Sequence, residues 1–62
     1  MYINIENLLK KKNKTMYWLA ETTGVSYPTI YNLTTNKTSS VRFDIIKKIC
    51  DALECTPNDI FK

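Results

Sequence analysis

A chain of 62 residues with a net charge of +3 and a pI near 9.0 is one small basic domain, burying only about 60% of its unfolded surface. Its two cysteines and lack of histidine exclude an ordinary closed zinc site. With no Gly-rich phosphate loop and no carboxylate pair placed in a cleft, nothing suggests an enzyme or a cofactor.

One glycine, two prolines and little apolar–polar alternation favour helices over sheet. Met1-Tyr2-Ile3 is expected to be extended or frayed, with Tyr2 or Ile3 packing on the core. Ile5, Leu8 and Leu9 share one face of a first helix, from Asn4 or Ile5 to about Lys12, whose last turn carries lysines favoured by the helix dipole. Thr15 is a good N-cap for a second helix, about Met16 to Thr23, with Met16, Leu19 and Ala20 inward. Ser26 caps a third, which tolerates Pro28 in its first turn and lasts to Thr34 or Thr35. Asn36 suits a left-handed C-terminal position, and residues 36–41 form a polar loop. A fourth helix, Arg42 to Leu53, carries Ile46, Ile49, Cys50 and Leu53 at i, i+3, i+4 and i+7. Thr56-Pro57-Asn58-Asp59 starts a short last helix, from which Ile60 and Phe61 fold back onto the core. The expected fold is all-α, with five helices.

Within this order, Leu19-Ala20-x-x-x-Gly24-Val25-x-x-x-x-Ile30-x-x-Leu33 has the spacing of a tight helix-turn-helix over about residues 16–35. Ala20 lets two helices cross closely, Gly24 takes the positive φ that ends the first, and Val25 plugs the corner. Lys10, Lys11, Lys12 and Lys14 precede this unit, and Lys37, Arg42, Lys47 and Lys48 follow it, whereas the C-terminal stretch is acidic. Two basic blocks flanking a helix-turn-helix suit a polyanion, although any one lysine is as readily a solvated surface group. Cys50, on the apolar stripe, reads as a core residue, with a disulfide or redox role as the alternative. No apolar run approaches the roughly 20 residues of a membrane span, and no signal peptide is visible, so a cytoplasmic location is the default.

Thr15 to Leu33 resembles the Cro/lambda-repressor (XRE) class of bacterial and phage helix-turn-helix regulators. Phe43 to Ile60 independently resembles the ending of a compact subgroup, with its Ile-Cys-x-x-Leu-x-Cys-x-Pro-x-Asp-Ile/Leu pattern; Cys50 and Cys55 are then a subgroup trait with a packing role. The resemblance implies a lambda-repressor-like domain whose third helix enters the major groove of duplex DNA and whose second crosses the backbone. It also implies a homodimer on palindromic sites, joined through the C-terminal helices around Ile60 and Phe61. The pattern departs at Met16, where the class often has a phosphate-binding glutamine; Tyr17 offers a hydroxyl instead. Trp18 replaces a usual polar residue and could pack against helix one, fill a subunit contact or be exposed.

A helical wheel places the recognition surface without the family. With Ile30 and Leu33 inward, Pro28, Tyr31, Asn32 and Thr35 face outward, and Ser26 and Tyr27 crowd the N-terminal end. These six are the candidate base contacts: Asn32 can pair with adenine, the hydroxyls donate or accept, and Pro28 or ring edges meet thymine methyls. Tyr27 could equally be a half-buried ring at the helix start, and Tyr31 and Asn32 plain solvent-facing residues. Lys14, Thr15, Tyr17, Lys37 and Arg42 are the candidate phosphate contacts. Residues 22–36 contain no Lys or Arg, so the commonest guanine contact is missing and A·T-leaning recognition is expected.

The function expected is sequence-specific duplex-DNA binding by a regulator, most simply a repressor. With no room for a separate sensor domain, its signal would act through a partner, expression level or the two thiols. The alternative is a protein-interaction module or antitoxin, docking a protein partner through Tyr17, Trp18, Tyr27 and Tyr31.

Overall fold

The computed structural model describes residues 2–38 and 41–61. It has the expected all-α architecture: α1 (Ile5–Lys11), α2 (Met16–Thr23), α3 (Tyr27–Thr34), α4 (Phe43–Leu53) and α5 (Pro57–Ile60). The polar loop expected over residues 36–41 includes Ser39 and Ser40, and the extended N-terminus includes Met1; these lie outside the described residues.

Backbone chemistry at each boundary explains the lengths. α1 stops one residue earlier than expected because Asn13 takes a left-handed φ of 58°. The Lys14 N–H then donates to the Leu9 carbonyl (2.8 Å) and the Asn13 N–H to that of Lys10 (3.1 Å), a Schellman closure. Asn36, with φ 60°, closes α3 in the same way, through Lys37 N–H to Asn32 (2.9 Å) and Asn36 N–H to Leu33 (3.2 Å). Thr15 caps α2 by accepting from the Trp18 N–H at 3.1 Å. Ser26 stands at the N-cap of α3, but its hydroxyl pairs with Thr29 Oγ1 at 2.9 Å instead of a backbone N–H. Arg42 is the extended N-cap residue of α4, not its first helical residue. At α5 the Thr56 N–H and hydroxyl both donate to Asp59 Oδ2, at 3.0 and 3.1 Å.

Gly24 makes the corner of the helix-turn-helix. Its φ of 75° is left-handed, and a Cβ built there meets nothing within 4 Å. Glycine is therefore required for the dihedral and not for space. Thr23 braces the same corner: its hydroxyl donates to the Leu19 carbonyl (2.7 Å) and accepts from the Val25 N–H (3.2 Å).

The core is a single cluster. Ile5 and Leu9 of α1, Leu19 of α2, Ile30 and Leu33 of α3, and Ile46, Ile49, Cys50 and Leu53 of α4 meet there with Ile3 and Ile60. Leu8, Met16, Ala20, Val25 and Phe61 are only partly buried and seal its edges. Trp18 is also half-buried against the cluster, with Lys14 Nζ 4.9 Å from its ring centroid. Ile60, expected at a subunit contact, has no exposed surface: it is consumed by its own core, so only Phe61 of that pair retains a free face.

The chain ends are stitched to this core. The Asn36 side chain accepts from the Ile3 N–H (2.7 Å) and donates to the Ile3 carbonyl (3.0 Å), while an isolated antiparallel bridge joins Ile3 to Phe61. The Asn4 N–H donates to the Ile60 carbonyl at 2.6 Å. These bonds satisfy extended backbone that would otherwise be buried unpaired. They also hold the far end of α3 against the N-terminus.

Candidate nucleic-acid interface

The inward anchoring of Ile30 and Leu33 rotates the opposite face of α3 to solvent. Ser26, Pro28, Tyr31 and Asn32 are exposed, while Tyr27 and Thr35 are half-buried. Thr35 Oγ1 donates to the Tyr31 carbonyl at 2.8 Å, leaving its lone pairs for an incoming donor.

Three tyrosines form one surface. Tyr17, 70% exposed at the start of α2, stacks on Tyr27 with ring centroids 4.4 Å apart and planes 16° apart. Tyr31 continues the row at 6.3 Å, tilted by 33°. Loss of hydration and then the adjoining Tyr17 push the Tyr27 phenol above its ordinary pKa, so it is a protonated donor at neutral pH. Lys37 Nζ lies 5.1 Å from the Tyr31 ring centroid, a cation–π contact at the other end of the row.

The candidate phosphate residues fall on both sides of α3. Lys37 and Arg42 line one groove with Thr29 and Asn32, which brings the expected adenine reader beside two cations. Arg42 is not free of partners: its guanidinium lies 3.1 Å from Asp44 Oδ2, with both side chains largely exposed. Lys14, Thr15 and Tyr17 line a second groove with Tyr27 and Thr35. Ten of the eleven candidate residues, all but Ser26, thus line depressions along or beside α3.

Two polar groups at this face escaped the sequence. The hydroxyl of Thr34 is buried without a hydrogen-bond partner, and nothing in a threonine at a helix end announces that. Thr29, which engages Ser26 and lines the Lys37 groove, is the other; it follows Pro28 on the wheel, but its contact requires the folded turn.

A family model described as a Cro/C1-type HTH DNA-binding domain matches residues 4–62. The chain belongs to this family. As a Cro/C1-type domain, it is a helix-turn-helix DNA-binding unit, with α2 and α3 as its two helices. It is also 33% identical over 60 residues to a protein of Bacillus subtilis (strain 168) named "Uncharacterized HTH-type transcriptional regulator YozG". That alignment covers 97% of this chain and 71% of the relative. No solved structure matches significantly.

Cys50 and Cys55 are free thiols, Cys50 in the core and Cys55 half-buried. Burial pushes both thiols up, Cys55 to about 11. Such thiols are protonated at neutral pH and poor nucleophiles. Among the described residues, no helix is long and apolar enough to cross a membrane.

Proposed function

We propose that this Cro/C1-type domain binds duplex DNA sequence-specifically, with α3 in the major groove, and represses transcription by occluding a promoter. The observation that carries this is the outward face of α3: Tyr31 and Asn32 stand exposed, with Lys37 and Arg42 on one flank and Lys14 and Thr15 on the other. Asn32 offers a donor and an acceptor to adenine, and Tyr27, Pro28, Tyr31, Ser26 and Thr35 supply apolar edges and hydroxyls. Lys14, Thr15, Lys37 and Arg42 hold the phosphates, and Tyr17 supports the face by stacking on Tyr27. With no cation on α3, these positioning contacts supply the electrostatic affinity and the base contacts favour A·T pairs.

The domain acts as a homodimer on half-sites about one helical turn apart. Ile60 is unavailable to that contact, which leaves the exposed face of Phe61. Its place of action is the cytoplasm, where its DNA is.

Selection from a random duplex pool at near-physiological salt tests this. An enriched A·T-rich palindrome with half-sites about 10 base pairs apart is the expected result. Essential G·C pairs would overturn the base assignment. Binding at low salt without enrichment would leave only charge-driven contact. It would favour the protein-docking alternative through Tyr17, Trp18, Tyr27 and Tyr31, of which Tyr17 is 70% exposed.

A further inference from the structure

On the outward face of α3, Tyr27, Pro28, Tyr31 and Asn32 converge on one open notch of about 330 Å³, and its lining is almost wholly apolar. Helical spacing builds it. Tyr27 and Tyr31 stand at i and i+4, on one face of the helix, and Pro28 and Asn32 repeat that spacing one residue on. The two tyrosine rings lie 6.3 Å apart with a 33° tilt, splayed and not covering one another.

Both rings are braced by other residues. Tyr17 stacks on Tyr27 at 4.4 Å, and Lys37 Nζ lies 5.1 Å from the centroid of Tyr31. The walls are therefore held in place before anything binds, which lowers the ordering cost. The Asn32 side chain hydrogen-bonds to no other described residue.

Chemistry limits what can fill such a notch in a major groove. Base edges there present nitrogen and oxygen atoms, except at the pyrimidine C5 position, where thymine alone carries a methyl group. An apolar notch gains by burying that methyl and forfeits the gain against the bare C5–H of cytosine. Cytosine methylated at C5 presents the same methyl at the same place in the groove. With no Lys or Arg over residues 22–36 to reach guanine, the methyl is the main feature left for this part of α3 to distinguish.

We propose that this notch reads the pyrimidine 5-methyl group, and so accepts 5-methylcytosine as well as thymine at one position of each half-site. Binding then responds to cytosine methylation: a site with cytosine at that position is held more tightly once the base is methylated. This rests on the DNA-binding mode proposed above and names the chemical group which that mode reads.

The test starts from the duplex enriched by selection, with affinity measured by fluorescence anisotropy of the full chain at one fixed salt concentration. Each thymine in turn is replaced by deoxyuridine, which removes only the methyl group. At one position per half-site the loss should be about fourfold, the worth of one buried methyl. Tyr31→Ala removes one wall, so duplexes with and without that methyl should bind it alike; Pro28→Ala should shrink the difference. Cytosine at that position should bind more weakly than thymine. Its 5-methylation should recover about fourfold in the wild type and nothing in Tyr31→Ala. The salt slope should stay the same throughout, since no charge changes.

Tolerance of deoxyuridine at every thymine, or a methyl effect that survives undiminished in both variants, overturns the notch as the reader. Equal affinity for cytosine and 5-methylcytosine overturns the methylation response. If selection enriches no duplex, the proposed DNA recognition fails and the methyl reader falls with it. A selected duplex that is insensitive to its methyl groups overturns the reader alone.

Discussion

Replacing Thr34 by valine is expected to make this protein more stable, which is unusual for a core substitution. The side chain is 3% exposed, and its hydroxyl has no partner. Leaving a hydroxyl buried and unpaired costs about 1–3 kcal/mol on mutational scales. Valine exchanges that hydroxyl for a methyl of nearly the same volume, and its helix propensity is close to that of threonine. A gain of about 1–2 kcal/mol follows, large against the roughly 3–9 kcal/mol that such a chain can hold. For so small a domain each kcal/mol moves Tm by about 4–8 °C, so the melt should rise by roughly 5–15 °C. Urea unfolding should show the same gain as a higher midpoint with an unchanged m-value. Thr34→Ser, which keeps the hydroxyl and loses the methyl, should destabilise. A Thr34→Val variant less stable than wild type would refute the reasoning, because the hydroxyl would then have to be bonded in solution.

Three further expectations concern the turn, the DNA face and the thiols. Gly24→Ala should cost about 1 kcal/mol in urea unfolding, because only the positive φ opposes it; a loss near 3 kcal/mol would mean that the corner is sterically closed as well. Lys37→Ala should weaken binding to all duplexes and flatten the salt dependence by about one unit, whereas Asn32→Ala should keep the slope and relax preference at one base pair; interchanged effects would reverse the two roles. Burial holds the folded Cys55 thiol at about 11, above its ordinary 9.0, so the folded state binds the extra proton between those values. Stability from this thiol is therefore complete below pH 9 and lost as pH rises toward 11. Urea midpoints across that window should fall less steeply in Cys55→Ala, and parallel declines would show that other groups cause the loss.

Local rules made the helices and their order legible. The Ala20–Gly24 spacing, the stripe from Ile46 to Leu53 and the Thr56-Pro57 start each describe a short stretch whose conformation depends on its own residues. What stayed hidden depends on partners distant in the chain. Asn36 was readable as a left-handed terminus, but its paired bonds to Ile3 span 33 positions and no local pattern encodes them. Asn13 carries the same left-handed signal, yet the surrounding lysines obscured where α1 should stop. Glu54 takes a φ of 52° without any residue preference for it; the close start of α5 behind α4 sets that turn. The outward face of α3 was legible because Ile30 and Leu33 fix the rotation of the helix. The stacking of Tyr17 on Tyr27 was not, since it needs the angle between two helices.

That stack decides how Tyr17 should be understood. As a hydroxyl donor to phosphate it would act alone, and Tyr17→Phe would remove its contribution as fully as Tyr17→Ala. The geometry instead joins it to Tyr27 at 4.4 Å, coupling the start of α2 to the start of α3. An aromatic pair of this kind is worth about 0.5–1.5 kcal/mol beyond its buried area. Phenylalanine keeps the pair, whereas alanine frees Tyr27 to leave its place beside Tyr31. If the stack governs the face, Tyr17→Phe should bind a selected site nearly as well as wild type, and Tyr17→Ala should lose preference among bases. Neither should alter the salt slope, since no charge is removed. Equal losses in the two variants would return Tyr17 to the phosphate backbone. A loss confined to alanine would mean that α3 reads DNA through a surface whose shape is set partly from α2, which suits a recognition helix without a single cation.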